Sequence, residues 1–291
     1  SLLRHWLQEM GVDVPSPKRG FSLLLTHDVD TVRKYRNPLR TAASAALGRQ
    51  PLRNVGESLA SKLGYCRDPY DNLDDIIALD GRVSIPARTV YFVMGGGKNR
   101  HDSPYDLNNS HVRSLIRRAL ASGAEVGLHA SYDAGLHPEC IAAEKAALER
   151  AVGCAVTGNR HHFLTWREIE DGWALVKAGV SWDSTLGYAD VAGFRLGVCH
   201  PIPLFDPVSL EPMGIEEHPL IVMDCTLDRS NYMGLDEEGA FRYCVGLIEQ
   251  SRRFGGEFVM LWHNTTLAPG NGNYHPRLYR RLLAHANEMV A

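Results

Sequence analysis

The chain has 291 residues, 44% hydrophobic and 22% charged, with 31 Lys and Arg against 34 Asp and Glu for a net charge of −3. This composition excludes disorder, a collagen-like repeat and a disulfide scaffold, and no basic tract is long enough to track a nucleic-acid backbone. No run approaches the ~20 apolar residues of a membrane span, Ser1–Met10 lacks a signal-peptide pattern, and six scattered cysteines without a C-x-x-C pair read as reduced thiols of a cytoplasmic protein.

Short apolar runs predict buried strands at residues 21–26, 89–94, 125–129, 155–160, 180–183, 220–224 and 258–263. Helical patterns lie between them. Residues 110–122 place Val112, Leu115, Ile116 and Leu120 on one face and stop at Gly123; residues 138–152 stop at Gly153. Further helices are predicted at 166–178, 237–253 and 276–289. Two stretches interrupt the alternation. Residues 37–87 read as an insertion of two or three helices, and 187–218 as a long irregular loop rich in Gly and Pro, the kind that covers a site. Arg33, Lys34, Arg36, Arg40 and Arg49 make the region after the first strand basic. That is a solvated helix face, or else a contact for an anionic substrate or membrane surface. Strand–helix alternation repeated about seven times predicts an α/β chain of one domain, with a parallel sheet covered by helices, closed as a barrel or left open.

In such folds chemistry collects where strands end. The first strand runs into His27-Asp28-Val29-Asp30, the third ends at Gly127-Leu128-His129, and the fourth at Asn159-Arg160-His161-His162. The fifth ends at Asp183 and the last at Trp262-His263-Asn264. A single strand-end Asp is ordinarily a helix cap; five polar strand ends on one rim predict a site. Side chains alternate along an extended segment, so Asp28 and Asp30 face the same side. One carboxylate can hold a divalent ion while its neighbour takes a proton from water that the ion activates. His129 adds an imidazole suited to zinc or another first-row ion, and Arg160 can pair with Asp28 to keep it ionised. Tyr188, Phe194, Phe205, Tyr232 and Trp262 can stack on sugar rings or pack under loops. Arg195 can reach an anionic group or make a structural ion pair. Asn264 can orient His263 or touch substrate, and residues 269–273 read as a turn.

Together these motifs, over roughly residues 21–264, resemble the polysaccharide deacetylase family (carbohydrate esterase family 4, the NodB-homology fold). Thr26-His27-Asp28-Val29-Asp30 is similar to the first motif in a spaced form, Gly127-Leu128-His129 to the start of the second, and Arg160-His161-His162-Phe163 to the third. Asp183-Ser184-Thr185 and Leu261-Trp262-His263 are similar to the fourth and fifth. The resemblance implies a distorted (β/α) barrel of about seven parallel strands. It implies Asp28 as catalytic base held by Arg160 and in turn Asp183, His263 as general acid, and Asp30 and His129 as ligands of a divalent metal, zinc by preference. A backbone N–H near Phe163 or His162 would help hold the oxyanion. The second motif's downstream His is missing, since position 133 is Asp133; His162, Asp133 or His27 must then supply the third ligand, with His162 favoured over Asp133. The implied activity is removal of an acetyl or similar acyl group from an amino sugar or cell-surface glycan precursor, in a setting such as O-antigen and lipopolysaccharide assembly. A silent glycan-binding protein on the same fold, and a hydrolase of another C–N bond, are the competing readings.

Overall fold

The computed structural model describes residues 2–12, 20–35, 37–102, 105–167, 169–269 and 272–289. Ser1 and Arg36, and Gly270 and Asn271 of the expected turn, lie outside the described residues. Helix α1 (Leu2–Glu9) precedes β1 (Ser22–Val29), and α2 (Pro38–Ala46), α3 (Arg53–Lys62) and α4 (Leu73–Asp80) separate β1 from β2 (Ala87–Met94). There follow α5 (Ser110–Ala121), β3 (Glu125–Ala130), α6 (Tyr132–Leu136), α7 (Ile141–Val152), β4 (Gly158–His161), α8 (Glu170–Lys177) and β5 (Trp182–Asp183). The chain ends with β6 (Ile202–Phe205), β7 (Pro212–Glu217), β8 (Val222–Met223), α9 (Asp224–Asp228), α10 (Glu237–Arg253), β9 (Glu257–Leu261) and α11 (His275–Glu288). Helix ends follow local chemistry. Asn109 and Asp236 cap α5 and α10 by accepting from the backbone N–H groups of His111 and Gly239, and Gly153 closes α7 at φ 85°.

Among the described residues the strands form one sheet in the order β6-β7-β5-β4-β3-β2-β1-β9-β8. Every pairing is parallel except β6 with β7. The expected distorted barrel of about seven parallel strands is met in part: the sheet is a nine-stranded half-barrel, parallel except for one antiparallel edge. The two additional strands fall inside the stretch read as irregular. In β7, Met213, Ile215 and Glu217 are buried while their neighbours are exposed. Pro203, Pro212 and Gly214 mask that alternation, and prolines are tolerated there because the hairpin sits at the sheet edge. Helix α8 starts at Glu170 rather than at 166, and the Asp171 carboxylate in its first turn accepts the Arg167 N–H (2.6 Å).

Strand alternation builds two faces. Leu23, Leu25 and Tyr91 pack outward under the helices, whereas Leu24, Val90, Phe92, Trp182, Val259 and Leu261 form a second, inner cluster. Climbing β1, the inner-facing positions change from Leu24 to Thr26 to Asp28, all buried. The interior is therefore apolar at its base and charged at its C-terminal rim. Gly127 is needed for this: a Cβ there would lie 2.5 Å from the Phe92 ring, which itself supports the Arg160 guanidinium at 4.6 Å.

Candidate metal and catalytic site

Asp28, Asp30, His129, Arg160, His162 and His263 meet at that rim, brought there by the ends of β1, β3, β4 and β9. Asp30 Oδ1 lies 3.2 Å from His129 Nε2 and 3.8 Å from His162 Nε2, and the three side chains can offer one ligand atom each to a common point. The other ring nitrogens fix what faces that point. His129 Nδ1 is 2.9 Å from the Arg160 carbonyl, and His162 Nδ1 is 2.9 Å from the Asp102 carboxylate. Each Nδ1 must donate there, which leaves the Nε2 lone pair of the neutral ring free as a ligand.

The donor set fits a divalent cation. Asp30 Oδ1 and His129 Nε2 are buried without a hydrogen-bond partner, and two imidazoles plus a carboxylate are donors that zinc accepts. The field agrees. Burial alone would raise the Asp30 carboxyl, yet the imidazoles of His129, His263 and His162 around it hold it well below the carboxylate range. Burial alone would lower His129, yet Asp28 and Asp30 raise it. This spot attracts positive charge.

Asp28 stands beside the set, 2% exposed. Its Oδ1 accepts from Arg160 Nη1 at 3.2 Å and its Oδ2 lies 3.7 Å from His129 Nε2. Arg160 is fully buried and spends its other donors on Ser184 O (2.8 Å), Ser184 Oγ (2.7 Å) and Thr26 Oγ1 (2.6 Å). Asp183, expected behind Arg160, is not a partner of it. β4 and β5 pair Asn159 with Asp183, so Asp183 shares the face of Asn159 and accepts its Nδ2 at 2.6 Å, while Ser184 takes the Arg160 face. His263 comes from the end of β9; its Nδ1 is 2.7 Å from Asp224 Oδ1 and its Nε2 is 3.7 Å from Asp30 Oδ2. Burial opposes its protonation, but Asp224 outweighs that and raises the imidazole well above its usual value.

Asp133 and His27 do not join the set. Asp133 accepts the Lys98 N–H (2.6 Å), and His27 points to the outer face, with Nε2 3.0 Å from Asp80. The aromatic and polar candidates divide. Phe163 and Tyr232 line a pocket of about 110 Å³ together with Asp28, Asp30, His161, His162, Arg229 and His263. Phe163 and Leu164 reach that wall through left-handed backbone, φ 59° and 52°, a strained geometry for side-chain-bearing residues. Trp262, by contrast, is buried on the helix side against Tyr279, one step of alternation past the pocket-lining Leu261. Asn264 donates to Thr31 O (2.9 Å) and Tyr70 O (3.2 Å), anchoring the insertion. Arg195 donates to Gly187 O (3.0 Å); it and Tyr188 do not line the pocket.

Asp102, Asp224 and Arg229 escaped the sequence reading, and His161 was read only as part of the fourth strand's polar end, with no role of its own. Asp224 ends a predicted strand and so carried a signal. Asp102 lies in a loop with no pattern. His161 stands fully buried in the pocket wall, where burial depresses it to about 4, and its Nε2 has no partner.

No protein-family model matches the chain, and no curated protein sequence does. Solved structures do match. A protein of Mycobacterium smegmatis described as a polysaccharide deacetylase covers 94% of this chain and 86% of its own length, at TM-score 0.57 and 17% identity. The fold is that of the polysaccharide deacetylases. A GH57 branching enzyme from Thermococcus kodakaraensis also matches, at TM-score 0.50 and 11% identity, over 94% of this chain and 69% of that one. A family 4 carbohydrate esterase from Streptomyces lividans matches at TM-score 0.42 and 13% identity, over 92% and 90%. The likeness reaches the fold; the chemistry rests on the residues.

Proposed function

We propose that this chain is a metal-dependent hydrolase that removes an acetyl or similar acyl group from an amino sugar or a cell-surface glycan precursor. One observation carries the reading: two members of the Asp30–His129–His162 donor set, Asp30 and His162, line a pocket together with a second carboxylate held differently and with a carboxylate-bound imidazole. A divalent cation, zinc by the donor types, supplies Lewis acidity toward water and an acyl carbonyl. Asp28 lies beside the donors with Arg160 on one oxygen, placed to accept the proton that an attacking water gives up. His263, its Nδ1–H held by Asp224, directs Nε2 into the pocket and can return a proton to the leaving amine. Arg229 and Tyr232, stacked at 5.7 Å, offer a planar surface to a sugar ring.

Acetate release from a panel of N- and O-acetylated amino sugars, O-antigen precursors among them, tests the proposal. Activity should vanish with a chelator. Asp28→Asn and His263→Ala should each lower turnover about 10²–10⁴-fold with the bound metal retained. Wild-type turnover in Asp28→Asn would remove that residue as the base, and no release from any acylated sugar would remove the reading.

A further inference from the structure

The segment that follows β1 differs from the rest of the chain in its charge and in the faces it buries. Residues 31–67 hold eight Lys and Arg against one acid, Glu57, so this stretch carries +7 while the remainder carries −10. Glu57 is itself engaged by the Tyr35 hydroxyl. Among the described residues, Arg67 pairs with Asp74 and Asp75, whereas Arg33, Arg40, Arg49, Arg53 and Lys62 are exposed and face no carboxylate at ion-pair distance.

The apolar side chains are on the unexpected side. Helices α2 and α3 pack on each other, but the residues they bury are Thr41, Ala45 and Ser58, and the two hydroxyls meet at 3.4 Å. Their outer faces carry the leucines. Leu52, Gly56, Leu59 and Leu63 fall at i, i+4, i+7 and i+11, one stripe along α3. Leu39 (80% exposed), Leu52 (76%), Leu63 (60%) and Tyr65 (83%) project from the hairpin beside the free cations. Its amphipathicity is turned outward. Both roots of this hairpin are tied to the rim that bears Asp30: Asp68 accepts the N–H groups of Lys34 and Tyr35 (2.9 and 3.1 Å), and Asn264, next to His263, holds Thr31 and Tyr70.

We propose that the α2–α3 hairpin docks on the surface of an anionic phospholipid membrane, with its leucines entering the headgroup boundary and its cations meeting lipid phosphates. Charge complementarity and exposed apolar area are both required by that occupant. A nucleic acid offers anions but no apolar layer for the leucines, and a second copy would bring +7 against +7. No helix among the described residues is long and apolar enough to cross a bilayer, so the contact is superficial. The proposal does not depend on the reaction inferred above.

Vesicle sedimentation with the full chain tests it, using phosphatidylcholine with and without phosphatidylglycerol. Binding should require phosphatidylglycerol and weaken with salt. Arg49→Ser and Arg53→Ser should each reduce partitioning about fivefold, and Leu52→Ser and Leu63→Ser about tenfold each. All four positions are exposed, so thermal melts should match the wild type. Failure of the wild type to bind phosphatidylglycerol vesicles at low salt overturns the proposal. So does binding that none of the four changes alters. Tighter binding to RNA than to vesicles, unaffected by the leucine changes, would give the surface to nucleic acid instead. A dimer lost in the leucine variants, without vesicle binding, would give it to a second copy.

Discussion

Replacing Arg160 by Met should be among the most damaging single changes in the chain, for a reason that the hydrogen-bond network makes specific. Ser184 Oγ still donates to His218 O (2.7 Å) and Thr26 Oγ1 still donates to Met260 O (2.8 Å) when the guanidinium is gone. Both hydroxyls therefore stay satisfied. The Ser184 carbonyl loses a charged donor, but the main loss falls on Asp28, a carboxylate 2% exposed that is left without its cation. Removing one partner of a buried ion pair costs about 3–5 kcal/mol. Asp28→Asn should cost clearly less, because Arg160 keeps three oxygen acceptors and the face of Phe92. The double variant Asp28→Asn/Arg160→Met should be more stable than the sum of the singles predicts by about 2 kcal/mol, since no charge is then stranded. Urea unfolding in the presence of EDTA measures all four proteins without an added ion standing in for the guanidinium. A loss below about 1 kcal/mol for Arg160→Met, or strict additivity of the pair, would refute this account of what the arginine does.

Three further outcomes are expected of the groups around the rim and the sheet interior. Zinc at a hundred times its Kd should stabilise the chain by about 2.7 kcal/mol in denaturant titrations, and His129→Ala should abolish that gain. Asp102→Asn, which weakens the hold on His162 Nδ1, should lower zinc affinity about 10–100-fold by competition with a chromophoric chelator. Glu217→Gln should reverse a pH penalty. Burial beside Asp183 pushes the Glu217 carboxyl well above its usual value, so the folded chain retains a proton that the unfolded chain releases. That stabilisation is complete below the ordinary glutamate range and is lost as pH rises through the elevated value. Glutamine keeps the bond from the Leu186 N–H and cannot ionise. Its stability relative to wild type should therefore grow between about pH 5 and pH 8; parallel curves would argue against a proton held by Glu217.

Seven of the nine strands among the described residues, most helices and the acid–imidazole core of the candidate site were legible in the sequence, because apolar runs and polar strand ends are local patterns. Apolar runs marked the strands, and alternation alone put Asp28 and Asp30 on one side of β1. The edge hairpin was not legible, since Pro203, Pro212 and Gly214 break the very pattern that β7 follows. Asp183 and Trp262 show the limit more sharply. Each lies one residue from a neighbour that faces the interior, Ser184 and Leu261, and only the pairing of β4 with β5 and the packing of α11 decide which of the two turns inward.

Choice among His162, Asp133 and His27, and the existence of Asp102 and Asp224 as supports, required the tertiary structure for a related reason. Ligand geometry is set by side chains from strands and loops far apart in the chain, and by which ring nitrogen each imidazole has already committed. The outward leucines of the insertion were readable as residues but not as a surface. A helix shows which of its faces are apolar, while only its neighbours determine which face is left to solvent.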